Sequence, residues 1–184
     1  MRLPPAGQLN NIALGTGYQN LPTMSDDCSR FLQACSDGEL DLAKQLQCRV
    51  PMESTDLLQS ALLTTTKNQH HSIVELLLQC APTDFTCHFP DPILLNAIDA
   101  GPQIYSLFIQ KDPSAAQRSF GHMGDALALA VVRNDVTLVR LLLDNGASPA
   151  ESELFYKPLL ALTQELQNVD EEITRMLRET DTKK

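Results

Sequence analysis

Four times along the chain, a short apolar run, a polar break and a second apolar run recur at nearly constant spacing. The copies are FLQACSDGELDLAKQL from Phe31, LLTTTKNQHHSIVELLL from Leu62, ILLNAIDAGPQIYSLFI from Ile93 and LALAVVRNDVTLVRLLL from Leu127. Their breaks fall at Gly38, Gln69, Ala100 and Asn134, spaced by 31, 31 and 34 residues, with no gap needed inside a unit. Units this small cannot bury an apolar face alone, so the repeat dictates an elongated stack in which each unit covers its neighbour.

Each unit reads as two short antiparallel helices. The first is expected to span about two to three turns and to end at the Gly, Asn or Gln of the break, whereas the second carries apolar residues at i, i+1, i+3, i+4 and i+5. A fifth, looser copy, KPLLALTQELQNVDEEITRMLRE from Lys157 to Glu179, has an inter-helix turn about three residues longer than the template. Its last helix ends in Arg175, Arg178, Glu179 and Asp181, which suits a solvent-facing cap.

Ala126–Pro149 (ALALAVVRNDVTLVRLLLDNGASP) and SIVELLLQCAP from Ser72 to Pro82 resemble the ankyrin-repeat unit TPLHLAAxxGHLEIVELLLxxGAxxN, whose period is about 33 residues. The likeness extends over roughly residues 25–179 and implies an all-α, ankyrin-like solenoid of about five helix-turn-helix repeats with short finger loops. The units are placed near 28–56, 57–90, 91–122, 123–156 and 157–179, after an N-terminal arm at 1–24 and before a charged tail at 180–184. Departures are visible. Pro92 and Pro158 keep the family's proline, but Leu32, Leu63, Leu94, Ala128 and Leu160 replace the histidine that ties neighbouring repeats together, implying a less regular stack.

In ankyrin proteins the fingers and first helices line a concave partner-binding surface. Carried over by position, the first helices here present a row of charges at Asp37, Lys67, Asp99 and Arg133, and the fingers are Cys80–Pro90, Asp112–Gly124 and Asn145–Tyr156. Those fingers hold Phe85, Phe89, Phe120, Phe155 and Tyr156. Leu58, Phe89, Met123 and Phe155 share one register, three residues before the proline position, which favours a repeated packing role; Phe85 and Phe120 fall outside it and are the better contact candidates. A charged row by itself is also what any solvated face looks like.

Other chemistries fit less well. Zinc needs four converging thiolate or imidazole ligands, usually paired across a tight turn. His70-His71, Cys80, Cys87-His88 and His122 do not meet that spacing, so no metal site and no cofactor are expected. Cys87 adjoins His88 without an orienting third group, and no Walker, G-x-S-x-G or H-E-x-x-H pattern occurs. Gly15–Gly17 reads as a flexible turn. Asp84, His88, Asp91 and His122 lie in neighbouring fingers and could converge as acid/base groups. They define the alternative function, a small-molecule-binding or isomerase- or cyclase-like protein.

Composition narrows the partners. The net charge of −9 is spread as +1 over residues 1–24, −4 over 25–56, −2 over 57–143 and −4 over 144–184, with no basic cluster to attract nucleic acid or an anionic membrane. No apolar run reaches the 18 residues of a membrane span, and Pro4, Pro5, Gln8, Asn10 and Asn11 break up any leader-like stretch. Five cysteines without a CxxC pair fit reduced thiols, hence an intracellular protein, cytoplasmic or nuclear. Together these readings point to a non-catalytic binding module that takes another protein on the concave face of the stack, either monomeric or weakly self-associating through the stack's ends.

Overall fold

The computed structural model describes residues 26–82, 89–166 and 169–181. The protein is all-α: helix makes up 71% of the described residues, and a two-stranded ribbon is the only sheet among them. In chain order the elements are α1 (Asp26–Asp37), α2 (Leu40–Gln47), α3 (Thr55–Lys67), α4 (His71–Cys80), α5 (Asp91–Ala100), α6 (Pro102–Lys111), α7 (Ala126–Val132) and α8 (Val136–Asp144). The ribbon β1 (Glu153–Leu154) and β2 (Lys157–Pro158) follows, then α9 (Leu159–Glu165) and α10 (Glu171–Asp181). Two 3-10 turns, Pro113–Gln117 and Gly121–Met123, fill the loop between α6 and α7.

The breaks read from the sequence are sharp helix-to-helix turns. Gly38, Gln69 and Asn134 sit there with φ of 80°, 61° and 57°, a left-handed conformation open to glycine and tolerated by asparagine. In the third pair the turn residue is Gly101, one beyond the expected Ala100, because Pro102 opens α6 and forces extended backbone before it. Two first helices outrun the expected two to three turns. α1 and α3 are 12 and 13 residues long, against 10 for α5. Pro92 blocks N-terminal extension of α5, while Arg30 and Ala61 occupy that position in α1 and α3 and keep their N–H groups available to the helix. α3 therefore starts at Thr55, ahead of the expected boundary at 57, and α10 runs to Asp181, into the expected tail.

Helices of 7–13 residues are not stable alone in water, so packing between pairs holds them. α1 packs on α3, α3 on α5 and α5 on α7; in a second row α2 packs on α4, α4 on α6, α6 on α8 and α8 on α10. The apolar faces point between the rows: Ile73, Val74, Leu77 and Leu78 of α4 are buried, as are Leu138, Val139 and Leu142 of α8. No helix among the described residues is long and apolar enough to cross a membrane.

Since the two helices of a pair run in opposite directions, the helix-to-helix turns gather on one edge of the protein and the loops between pairs on the other. Polar contacts clasp each edge. On the turn edge the Ser36 carbonyl accepts hydrogen bonds from Asn68 Nδ2 at 2.9 Å and His70 Nε2 at 2.9 Å, which places a proton on that histidine nitrogen. Asp170 N donates to Asn134 Oδ1 at 2.8 Å. A Cβ on Gly38 would lie 2.7 Å from His70 Cε1, so the closeness of these turns depends on that glycine.

Candidate functional site

The loop edge is where the chain departs from plain helix packing. Between α6 and α7, Tyr105 Oη donates to the Ala115 carbonyl at 2.7 Å and pins the first 3-10 turn to α6; burial pushes that phenol's pKa up and keeps it a donor. The loop then doubles back, with Phe120 N donating to the Gly124 carbonyl at 2.8 Å and Ala126 N to the Arg118 carbonyl at 3.0 Å. Arg118 reaches Asp91 Oδ1 through Nη2 at 2.8 Å and Nε at 3.1 Å.

Asp125 joins this loop to the next. Its Oδ1 caps α7 by accepting from Ala128 N at 2.8 Å and also accepts from Ser152 Oγ at 2.8 Å, while Oδ2 accepts from Glu153 N at 3.2 Å. An aspartate at this place does the work of an N-cap, about 1 kcal/mol, and orients the following ribbon as well. Gly124, at φ 95°, permits the approach, because a Cβ there would lie 2.7 Å from the Glu153 carbonyl oxygen.

A cleft of about 390 Å³ opens between residues 113–125 and 145–158. Leu127 and Ala147 give it apolar wall, Asp125, Glu151 and Glu153 bring carboxylates, and Phe155 and Tyr156 stand at the ribbon's tip. The ribbon pairs Leu154 with Lys157, leaving Phe155 and Tyr156 as a two-residue connection with φ of 49° and 62°. Positive φ at both central residues is the type I′ geometry, for which Asn-Gly is the usual choice. Two aromatics there are costly, at about 1–2 kcal/mol per residue in the left-handed region. They are also 65% and 80% exposed, so burial does not explain them.

The charge at the cleft is uncompensated. Asp125 is fully engaged with hydrogen-bond donors, but Glu151 and Glu153 make no ion pair among the described residues, and no Lys, Arg or His lines the cleft. The nearest lysine in sequence, Lys157, is taken by Glu165 at 2.7 Å. Ser148, also on the cleft wall, has a hydroxyl hidden from solvent without a hydrogen-bond partner.

The residues expected to act at a site are scattered. Asp37, Lys67, Asp99 and Arg133 lie on the turn edge, opposite the cleft, and are exposed. Arg133 forms an ion pair with Asp99 of the preceding pair, and Gln33 Nε2 donates to Asp37 at 2.8 Å. The first contact clasps neighbouring turns, whereas the second lies within α1. Phe120, expected to present its ring to a partner, is 4% exposed because its loop folds back onto the core. Phe155 and Met123, assigned by register to packing, are instead 65% and 38% exposed, whereas Phe89 and Leu58 in the same register are each 1% exposed. Phe85, Asp84 and His88 lie outside the described residues. Of the remaining acid/base pair, Asp91 is held by Arg118, and His122 is exposed on the 121–123 turn without a side-chain partner among the described residues.

No group of three or more His, Cys, Asp or Glu able to hold a metal occurs among the described residues. Two thiols are shifted away from reactivity: burial pushes the Cys35 thiol up to about 12, and Cys80 is raised by burial and by Cys48, against a lowering from Lys111. A nucleophilic thiol needs the opposite shift. The exposed aromatic tip and the acidic cleft were missed in the sequence because ELFYKP, Glu153–Pro158, looks like one more packed finger end unless the Phe-Tyr pair is read as the centre of a two-residue turn. No protein-family model matches the chain, and no curated protein is significantly similar to it.

Proposed function

We propose that this chain is a divergent ankyrin-like stack of about five helix pairs whose job is non-catalytic binding of another protein, and that docking takes place on its loop edge. The near-33-residue period and the alternation of first and second helices in two packed rows support the first part. One observation carries the second: Phe155 and Tyr156 are held exposed in a backbone conformation that a cheaper pair would fill better. Strained backbone persists where it serves a function, and exposed aromatics are the residues that dominate binding energy at protein interfaces. The charged row on the turn edge then contributes clasping and orientation more than affinity. For the catalytic alternative, Asp91 is already committed to Arg118, and no observation recruits His122.

Photo-crosslinking tests the reading in cells. Benzoylphenylalanine placed at 155 should trap a discrete protein partner, while the same probe at Asp41, exposed on α2, should not. Equal trapping at both positions, or none at 155, would count against docking on the loop edge.

A further inference from the structure

Resting on the protein-binding reading, we propose that the cleft between residues 113–125 and 145–158 receives an arginine side chain from a basic segment of the partner. Size comes first. At about 390 Å³ the cleft falls in the range of small-ligand pockets, about 300–1,000 Å³, and so takes one or two side chains and not a folded element. Charge comes second. Glu151 and Glu153 line it without a cation beside them, in a stretch, residues 144–184, that carries −4. An incoming guanidinium would therefore find carboxylate acceptors there with no protein cation competing for them.

The aromatic pair makes arginine the specific fit. A guanidinium is planar, stacks on an aromatic face and still directs its N–H groups sideways to carboxylates, whereas a lysine ammonium offers only a point charge. Phe155 and Tyr156 supply faces at the cleft's rim, and Glu151 and Glu153 supply acceptors in the same cavity. One bound arginine would thus meet both the aromatic faces and the carboxylates that line the cleft.

The probe is a fluorescent peptide of alternating arginine and glycine, titrated by anisotropy into the full chain at about 150 mM salt, where charges more than roughly 8 Å apart are largely screened. Its citrulline counterpart, of the same shape but uncharged, is the control ligand. The variants are Glu151→Gln/Glu153→Gln, Phe155→Asn/Tyr156→Gly, and Asp41→Asn/Glu53→Gln, which removes two exposed carboxylates elsewhere that form no ion pair among the described residues. Melting curves establish that each variant is folded. Saturable binding of the arginine peptide is expected, weakened about tenfold or more by either cleft variant, with less than about twofold change in Asp41→Asn/Glu53→Gln and no citrulline binding. Equal weakening in all three variants would mean diffuse attraction to an acidic protein and would overturn the proposal, as would no binding by the parent. If the parent ignores the peptide while the probe at 155 traps a partner, the arginine site fails and the protein-binding reading stands; a silent probe sinks that reading itself.

Discussion

Replacing Phe155-Tyr156 by Asn-Gly separates a packing role from a presenting one. At φ of 49° and 62°, the change relieves left-handed strain of about 1–2 kcal/mol at Tyr156 and a smaller amount at Phe155, since asparagine tolerates this region. Against that stand two losses. The rings are 65% and 80% exposed, so together they bury only about 100 Å² of the roughly 200 Å² that each could cover, an upper limit of about 2.5 kcal/mol at 25 cal/mol per Å². Glycine adds about 0.5–1 kcal/mol of unfolded-state entropy. These terms nearly cancel, and at about 2–4 °C per kcal/mol for a chain of this size the melting temperature should stay within about 4 °C of the parent. Phe89→Ala is the contrast. That ring is 1% exposed and meets Phe108 edge to face at 5.0 Å, so its loss should cost about 3–5 kcal/mol. Thermal melts followed by circular dichroism decide between them. A drop in Phe155→Asn/Tyr156→Gly comparable to that in Phe89→Ala would show that the tip is a structural prop and refute the reasoning.

Three further outcomes follow from the packing. Leu142 is fully buried on α8, so Leu142→Asp should leave no cooperative melt, the cost of an unpaired buried charge exceeding about 4 kcal/mol; an unchanged melt would contradict the core assignment. Gly38→Ala should lower stability in urea by about 1–2 kcal/mol from backbone strain, plus about 1 kcal/mol for displacing the His70–Ser36 hydrogen bond, and the second part should vanish in a His70→Ala background. Cys35 titrates near 12 in the folded protein against about 9 when unfolded; its stabilising contribution is therefore intact below pH 9 and lost as pH rises toward 12. Cys35→Ala should show a shallower fall in melting temperature above pH 9 than the parent, and iodoacetamide at pH 8 should label exposed Cys48 while sparing Cys35.

The helix pairs were legible because their punctuation is local chemistry. Left-handed turns favour Gly and Asn, found here at Gly38 and Asn134, and Gln69 adopts the same conformation; these three of the four breaks fall where the spacing puts them. Pro102 moved the other by one residue through its effect on the preceding backbone. Packing of the second helices was equally plain, since Leu77 and Leu142 sit in the same phase of an apolar stripe. Loop side chains were not legible, for a definite reason. Register predicts burial only while the backbone repeats, and it stops repeating at Phe155, where a tight turn swings the ring outward although Phe89 in the same register is core. Phe120 failed in the opposite sense, drawn inward by a doubling-back that depends on the bond from Phe120 to Gly124 and on the bridge between Ser119 and Asp125. Contacts such as Arg118 with Asp91 join residues 27 apart in sequence and leave no periodic trace.

Docking on the loop edge rather than the turn edge is tested most directly by capturing partners with three folded proteins side by side: the parent, Phe155→Asn/Tyr156→Gly, and Asp37→Ala/Asp99→Ala/Arg133→Ala. A partner held by the parent and by the turn-edge variant but released by the aromatic variant is the expected result. A partner released by the turn-edge variant and still held by the aromatic variant would place the interface on the opposite side of the protein.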